Sequence, residues 1–149
     1  MCSSDLVFMK VIIDTNIALD MMANRQDFQD DAAKVFTICI GGLAEGYFAS
    51  NSVCDLHYVL HHHFHDERQT RNSLETWLNL IGILDVSRED CMKALNSSAS
   101  DYEDAIIEQT ALRHRCDYIV TRNLKDFSDS PVPAVSPREF IQIALKYDN

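Results

Sequence analysis

The sequence is poor in glycine and proline, with four and three residues in 149. That excludes a collagen-like repeat and a Pro/Gly-rich linker protein. Long apolar runs are also missing. The stretch "VFTICIGGLA" falls well short of the roughly 18 residues that cross a bilayer, so no membrane association is expected. The start, "MCSSDLVFMK", has no basic segment followed by an apolar one, so no secretion signal is read there. Cysteine is present without a pattern. Cys2, Cys39, Cys54, Cys91 and Cys116 are odd in number and form no CxxC pair. This argues against a disulfide framework and a zinc ribbon, and for a reducing, cytoplasmic setting in which most are small buried hydrophobes. Positive charge is scarce too: 13 basic against 23 acidic residues leave a net charge of −10. Broad electrostatic binding of nucleic acid is thereby disfavoured, although bound divalent cations reverse the sign of an acidic site.

What is present describes an ordinary globular domain, 46% hydrophobic and 24% charged. Met9 is a candidate start, with residues 1–8 an N-terminal extension and residues 9–149 a single domain. "KVIID" (10–14) reads as a buried strand and residues 16–23 as a short helix. A longer helix covers "DFQDDAAKVFTICIGGLAEG", weakened near its end by Gly41 and Gly42. "YFAS", "ILDV", "DYIVT" (117–121) and "PAVS" read as further strands. Between them lie a helix from Ser52 with Val53, Leu56, Leu60 and Phe64 at helical spacing, a helix over 67–81, and a short one at "REDCMKAL". Another begins after "NSSASDYEDA", and a last one runs from Pro137 to about Lys146. Strands alternating with helices predict an α/β domain with a mainly parallel sheet, whose ligands gather beyond the carboxyl ends of the strands.

Four acids stand out for where they fall in that pattern. Asp14 closes the first strand, where a carboxylate serves equally well as a helix cap or a ligand. Asp55 follows Ser52 at capping-box spacing. Asp104 shares a helix row with Ile107 and Ala111, the inward side, where a carboxylate is costly unless paired or metal-bound. Glu103 has a structural assignment instead, as the partner of Ser100 in a capping box, and Asp101 is expected to be solvated. Asp126 lies in "TRNLKDF" beyond the fourth strand, between turn former and ligand. Two of the four follow strand ends and two open helices, so one parallel sheet brings them together. Oxygen-rich clusters of this kind suit Mg²⁺ or Mn²⁺. Asp20 finds no counterpart later in the chain and reads as a solvated helix residue.

The order "IIDTNIALD", "SVCDLHYVL", "DYEDAIIEQTALRHRCDYIVTRNLKDF" resembles the PIN domain, in particular its bacterial VapC-like branch. The resemblance implies a three-layer α/β/α sandwich around a short parallel sheet. It implies a metal-dependent endoribonuclease that leaves a 5′-phosphate and a 3′-hydroxyl, acts as the toxin of a toxin–antitoxin pair, forms a homodimer and binds an antitoxin. By the same resemblance Asp14, Asp55, Asp104 and Asp126 are the catalytic acids. Asp14, Asp104 and Asp126 hold the metal, and Thr15, Asn16, Thr121 and Asn123 support them. Two departures are visible. The family's second acid is often Glu, and Asp often stands at the place of Asn123, which leaves the fourth acid shared between Asn123 and Asp126.

Arg122 and Lys125, beside Asp126, are the cations best placed for a phosphate backbone. His57, His61, His62, His63 and His65 crowd one helix end. The pair His57 and His61 has metal-holding spacing without the Glu of HExxH, and the group reads as exposed residues complementing the helix dipole. Two other readings stay open. One is a catalytically silent RNA- or protein-binding module of the same fold. The other is an aspartate-nucleophile phosphatase, for which Asn16 stands where the second Asp of DxDxT belongs.

Overall fold

The computed structural model describes residues 8–22 and 25–148, with the side chains of 147 and 148 left out. The expected extension over residues 1–8 therefore lies, apart from Phe8, outside the described residues. Strand β1 (Lys10–Ile13) is followed by α1 (Thr15–Met22) and α2 (Gln26–Ile40), then β2 (Glu45–Ala49). Next come α3 (Val53–Phe64), α4 (Glu67–Leu80), β3 (Gly82–Leu84), α5 (Arg88–Ala94) and α6 (Tyr102–Arg113). The chain closes with β4 (Tyr118–Val120), β5 (Ala134–Val135) and α7 (Pro137–Asp148).

All five strands are parallel, in the order β3-β2-β1-β4-β5. Alternation along β1 splits the core in two, because successive strand residues face opposite sides. Val11 and Ile13 pack with Ile17, Val35, Phe36, Leu56 and Phe140 from α1, α2, α3 and α7, and Trp77 of α4 lies against this cluster. Ile12 faces the other way, with Ile119, Leu84 and the α6 residues Ile107 and Ala111. The result is the expected three-layer α/β/α sandwich, with α5 and α6 alone on the second face. No helix among the described residues is long and apolar enough to cross a membrane.

Several expected boundaries move. The long helix stops at Ile40 rather than running to Gly46, because Gly41 caps it and Gly42 takes a left-handed φ of 84°. Glu45 and Gly46 thus pair with Lys10 and Val11 as the start of β2. Gly46 is also a close-approach position: a Cβ there would lie 2.6 Å from Cys39 Sγ and 3.1 Å from Ile13 Cδ1. Gly46→Ala is expected to lower stability by about 1–3 kcal/mol through overpacking, seen as an earlier urea midpoint at unchanged slope. Cys39 and Cys116 are buried, with burial pushing the thiols up to about 12 and about 11. Cys54 is exposed and Cys91 half-buried, so burial holds for only two of the four described cysteines.

Candidate functional site

β1 and β4 are neighbours at the centre of the sheet, with Ile13 opposite Val120. The next residue of each strand, Asp14 and Thr121, therefore emerges at the same carboxyl edge. Thr121 Oγ1 donates to Asp14 Oδ2 at 2.8 Å and accepts from the Asn123 amide at 3.0 Å and from Asn16 Nδ2 at 3.5 Å. Thr15 Oγ1 reaches Asp14 Oδ1 at 3.5 Å. Burial raises the Asp14 carboxyl above its ordinary value, opposed by hydrogen bonds from Thr121 and from Asn16 and Thr15 at the start of α1. The cap and the ligand readings of Asp14 are thus compatible, since the residue leans on the helix start while its carboxylate stays at the sheet edge. Thr15, Asn16, Thr121 and Asn123 all lie around it. One atom there is unexplained by the fold: Asn16 Oδ1 is buried without a hydrogen-bond partner, a cost that a cation would remove.

α6 brings Asp104 to the same edge. Its carboxyl is pushed up to about 7, first by desolvation, then by the charges of Asp101, Asp14, Asp126 and Glu103. Asp126 sits half-buried in a 3-10 turn, Leu124–Phe127, just past β4. Glu103 is raised first by desolvation, then by the charges of Asp55, Asp101 and Asp14. Asp104 thus lies within the electrostatic reach of Asp14 and Asp126, and Asp55, exposed in the first turn of α3, acts in turn on Glu103.

Three sequence expectations need correction here. Ser100 and Glu103 form no capping box: Asp101 is the cap of α6 and accepts from the Asp104 amide at 3.0 Å. Ser52 likewise makes no side-chain cap on α3. Both changes release an acid, Glu103 or Asp55, into the cluster; Glu103 is the site residue that sequence reasoning missed. The signal was its position beside Asp104 at the start of a helix, hidden by an equally good capping pattern.

The third correction concerns Asp20. It is 1% exposed rather than solvated, and two bonds from Arg122 hold it, one of them at 3.0 Å, with Arg25 Nη1 at 3.5 Å. Arg122 also stacks over Phe28, 4.2 Å from the ring centroid. This cation is therefore anchored beside the acids instead of waving in solvent. Lys125 is exposed. Asp20→Ala is expected to cost about 2–4 kcal/mol, because it strands a guanidinium that is itself only partly exposed; chemical unfolding measures it.

Could these residues hold a divalent ion? Among the described residues no three His, Cys, Asp or Glu groups are already drawn to coordinating distance. The chemistry nonetheless fits: every donor is a hard oxygen, the carboxylates repel one another, and Asn16 offers an orphaned carbonyl oxygen. Asp14 and Asp104, with Asp126, are the residues that would hold such an ion. The histidines are engaged otherwise. His57 Nε2 lies 3.0 Å and His61 Nε2 3.8 Å from the Glu67 carboxylate, which also binds Arg71. His61, His62 and His63 fill the exposed last turn of α3, as expected.

Comparison with solved structures finds the same fold in bacterial proteins. VapBC2 from Rickettsia felis, bound to a DNA fragment from its promoter, matches with a TM-score of 0.65 at 17% identity, over 86% of this chain and 98% of that one. A toxin–antitoxin complex from Klebsiella pneumoniae matches with a TM-score of 0.63 at 25% identity, over 85% and 97%. FitAcB from Neisseria gonorrhoeae matches with a TM-score of 0.62 at 16% identity, over 86% and 98%. Among curated protein sequences none matches. The family model described as the PIN domain matches residues 10–125, most of the chain and every one of the acids but the last, Asp126. With that match and the sheet-edge cluster of acids, this chain belongs to the PIN domain family.

Proposed function

We propose that the chain is a metal-dependent endoribonuclease, the toxin of a toxin–antitoxin pair, using Mg²⁺ or Mn²⁺. The observation that carries this reading is the gathering of Asp14, Asp104, Asp126 and Glu103, where burial first and then the neighbouring charges push Asp104 up to about 7, with Asp55 acting on Glu103. Isolated, such a cluster costs stability; facing a cation and a phosphodiester, it becomes a receptor. The chemistry an ion supplies there is neutralisation of phosphate charge and acidification of a water for in-line attack.

The chain's own residues set up the rest. Thr121 and the start of α1 orient Asp14. Asp101 fixes the first turn of α6 and so the direction of Asp104. Glu103, raised by desolvation and then by the charge of Asp55, borders the cluster at the rim, and Asp104, pushed up to about 7 with no ion present, would give up its proton when a cation binds. Asn123 and Asp126 share the fourth position: Asn123 gives its amide to Thr121, while Asp126 supplies the charge. Support for a toxin role comes from the fold's likeness to the Klebsiella pneumoniae toxin–antitoxin complex, the most similar in sequence of the three compared. An antitoxin, a homodimer and a cytoplasmic setting belong to the same proposal.

The test is incubation of the purified protein with single-stranded RNA and Mg²⁺ or Mn²⁺, beside reactions with EDTA and with Asp14→Asn. Cleavage confined to the wild type with metal, leaving 5′-phosphate ends, is the expected result. Cleavage that survives both controls would overturn the metal-nuclease reading. RNA binding without cleavage under every metal condition would favour the silent module, and a phospho-aspartate trapped at Asp14 the phosphatase.

A further inference from the structure

A nuclease for a polyanion, in a chain with a net charge of −10, has to gather cations somewhere beside its acids. A cavity of about 430 Å³ is lined by Phe28, Asp31, Arg122, Ser136, Pro137 and Arg138. It opens where the sheet's carboxyl edge continues from β4 to β5. The Thr121 amide donates to the Val135 carbonyl at 3.0 Å, so the next residues, Arg122 and Ser136, start from adjoining points of that edge. Thr121 is the residue whose hydroxyl holds Asp14. The cavity thus adjoins the acidic site.

Its two arginines are in different states. Arg122 is fixed in advance: Asp20, fully buried, takes its Nε and Nη2, and Phe28 lies under the guanidinium. Nη1 has no partner among the described residues, so the anchored cation keeps one corner available. Arg138 is the loosely held member, 76% exposed, with a single ion pair among the described residues, to Asp31 at 3.4 Å. An exposed pair of that length contributes little and exchanges readily for a better anion. A phosphate, doubly hydrogen-bonding and carrying a full charge, is that anion for a guanidinium. The amino end of α7, beginning at Pro137, adds a weaker contribution of the same sign.

We infer that this cavity is a substrate subsite, in which Arg122 and Arg138 bind the backbone phosphate of an RNA nucleotide flanking the one cut at the acids. The inference rests on the proposed nuclease reading and adds to it the direction of the strand across the surface, from the acids toward β5. It also assigns Asp20 a positioning role, since it aims Arg122 by taking two of its three nitrogens.

Steady-state cleavage of a single-stranded RNA oligonucleotide by Arg138→Glu provides the test. The side chain is exposed, so the fold survives, and an acid near a helix start suits the dipole. KM is expected to rise about tenfold with kcat nearly unchanged, and the plot of log kcat/KM against log salt to become shallower by about 0.7, the loss of one phosphate contact. Arg138→Ala gives a smaller rise of the same sign. Lys146→Glu, the same charge change at the far end of α7, leaves both constants where they were. If Arg138→Glu matches Lys146→Glu, or lowers kcat at constant KM, the subsite is overturned and the nuclease reading stands. If the wild type cuts no RNA with either metal, the nuclease reading fails and the subsite falls with it.

Discussion

On the proposed nuclease reading, Asp14→Asn is expected to lower RNA cleavage by more than about a hundredfold while leaving the protein folded. The size follows from what the change deletes. Asn keeps the shape and one acceptor oxygen, so Thr121 can still donate to it, but the charge that would face a divalent ion is gone. Even outer partners of metal ligands are typically worth 10–100-fold, and a direct ligand more. Stability moves the other way. Burial raises the Asp14 carboxyl, meaning that its ionised form is less favourable folded than unfolded, so the neutral amide relieves a cost. A cleavage assay beside a thermal melt separates the two effects. A variant that cuts RNA within a fewfold of wild type would remove Asp14 from the mechanism.

The second large effect is on Asp104, and its sign is set by linkage. The folded carboxyl titrates at about 7, against 3.8 for the unfolded chain. Between those values the folded state binds more protons than the unfolded one, so stability falls as pH rises from about 4 through 7 and levels off above. The metal-free protein is therefore expected to melt higher at pH 5.5 than at pH 8. Asp14, Glu103 and Glu108, all raised chiefly by burial, act in the same direction. Asp90 acts oppositely, in a different window. Burial there works against ionisation, but the Arg113 guanidinium and the Ser87 amide bring the carboxyl below its usual value. Its stabilisation is present above the ordinary carboxylate range and is lost only on further acidification. Asp104→Asn should flatten the slope and raise the pH 8 melting temperature by about 2–4 °C, a modest figure because solvent screens a half-open carboxylate. The same variant should lose nearly all cleavage. Mg²⁺ added to wild type should also flatten the slope, since it selects the ionised cluster. A melting temperature independent of pH between 5.5 and 8 would contradict the repulsion on which the site argument rests.

How far was this visible in the sequence? The sheet was, because apolar runs such as Val11–Ile13 and Ile119–Val120 are buried on both faces and carry no polar interruption. Asp14 and Asp104 could be placed because each interrupts a regular pattern, one a strand, the other a helix face. Local hydrogen-bond choices were less visible. Ser100 and Asp101 are both good caps one residue apart, and the backbone chose Asp101, at φ −112° and ψ 128°; that shift by one residue reassigned Glu103. Asp20 was misread for another reason. Its partner Arg122 lies 102 residues away, and no local rule couples positions at that separation. The available hint was its spacing of three from Ile17, which puts it on the buried side of α1.

The bond from Thr121 to Asp14 spans 107 residues, and this bears on when the site can first form during synthesis. Strand β1 is synthesised first, yet one of its two neighbours, β4, comes from residues 118–120. Asp104 and Asp126 also lie in the last third of the chain. A ribosome-bound fragment carries Asp14 with nothing to orient it and no second carboxylate beside it. Long-range parallel pairing of this sort is slow, and it waits for the end of synthesis. The central position of the first strand thus acts as a timing device: the cluster of acids assembles only in a chain that is nearly finished.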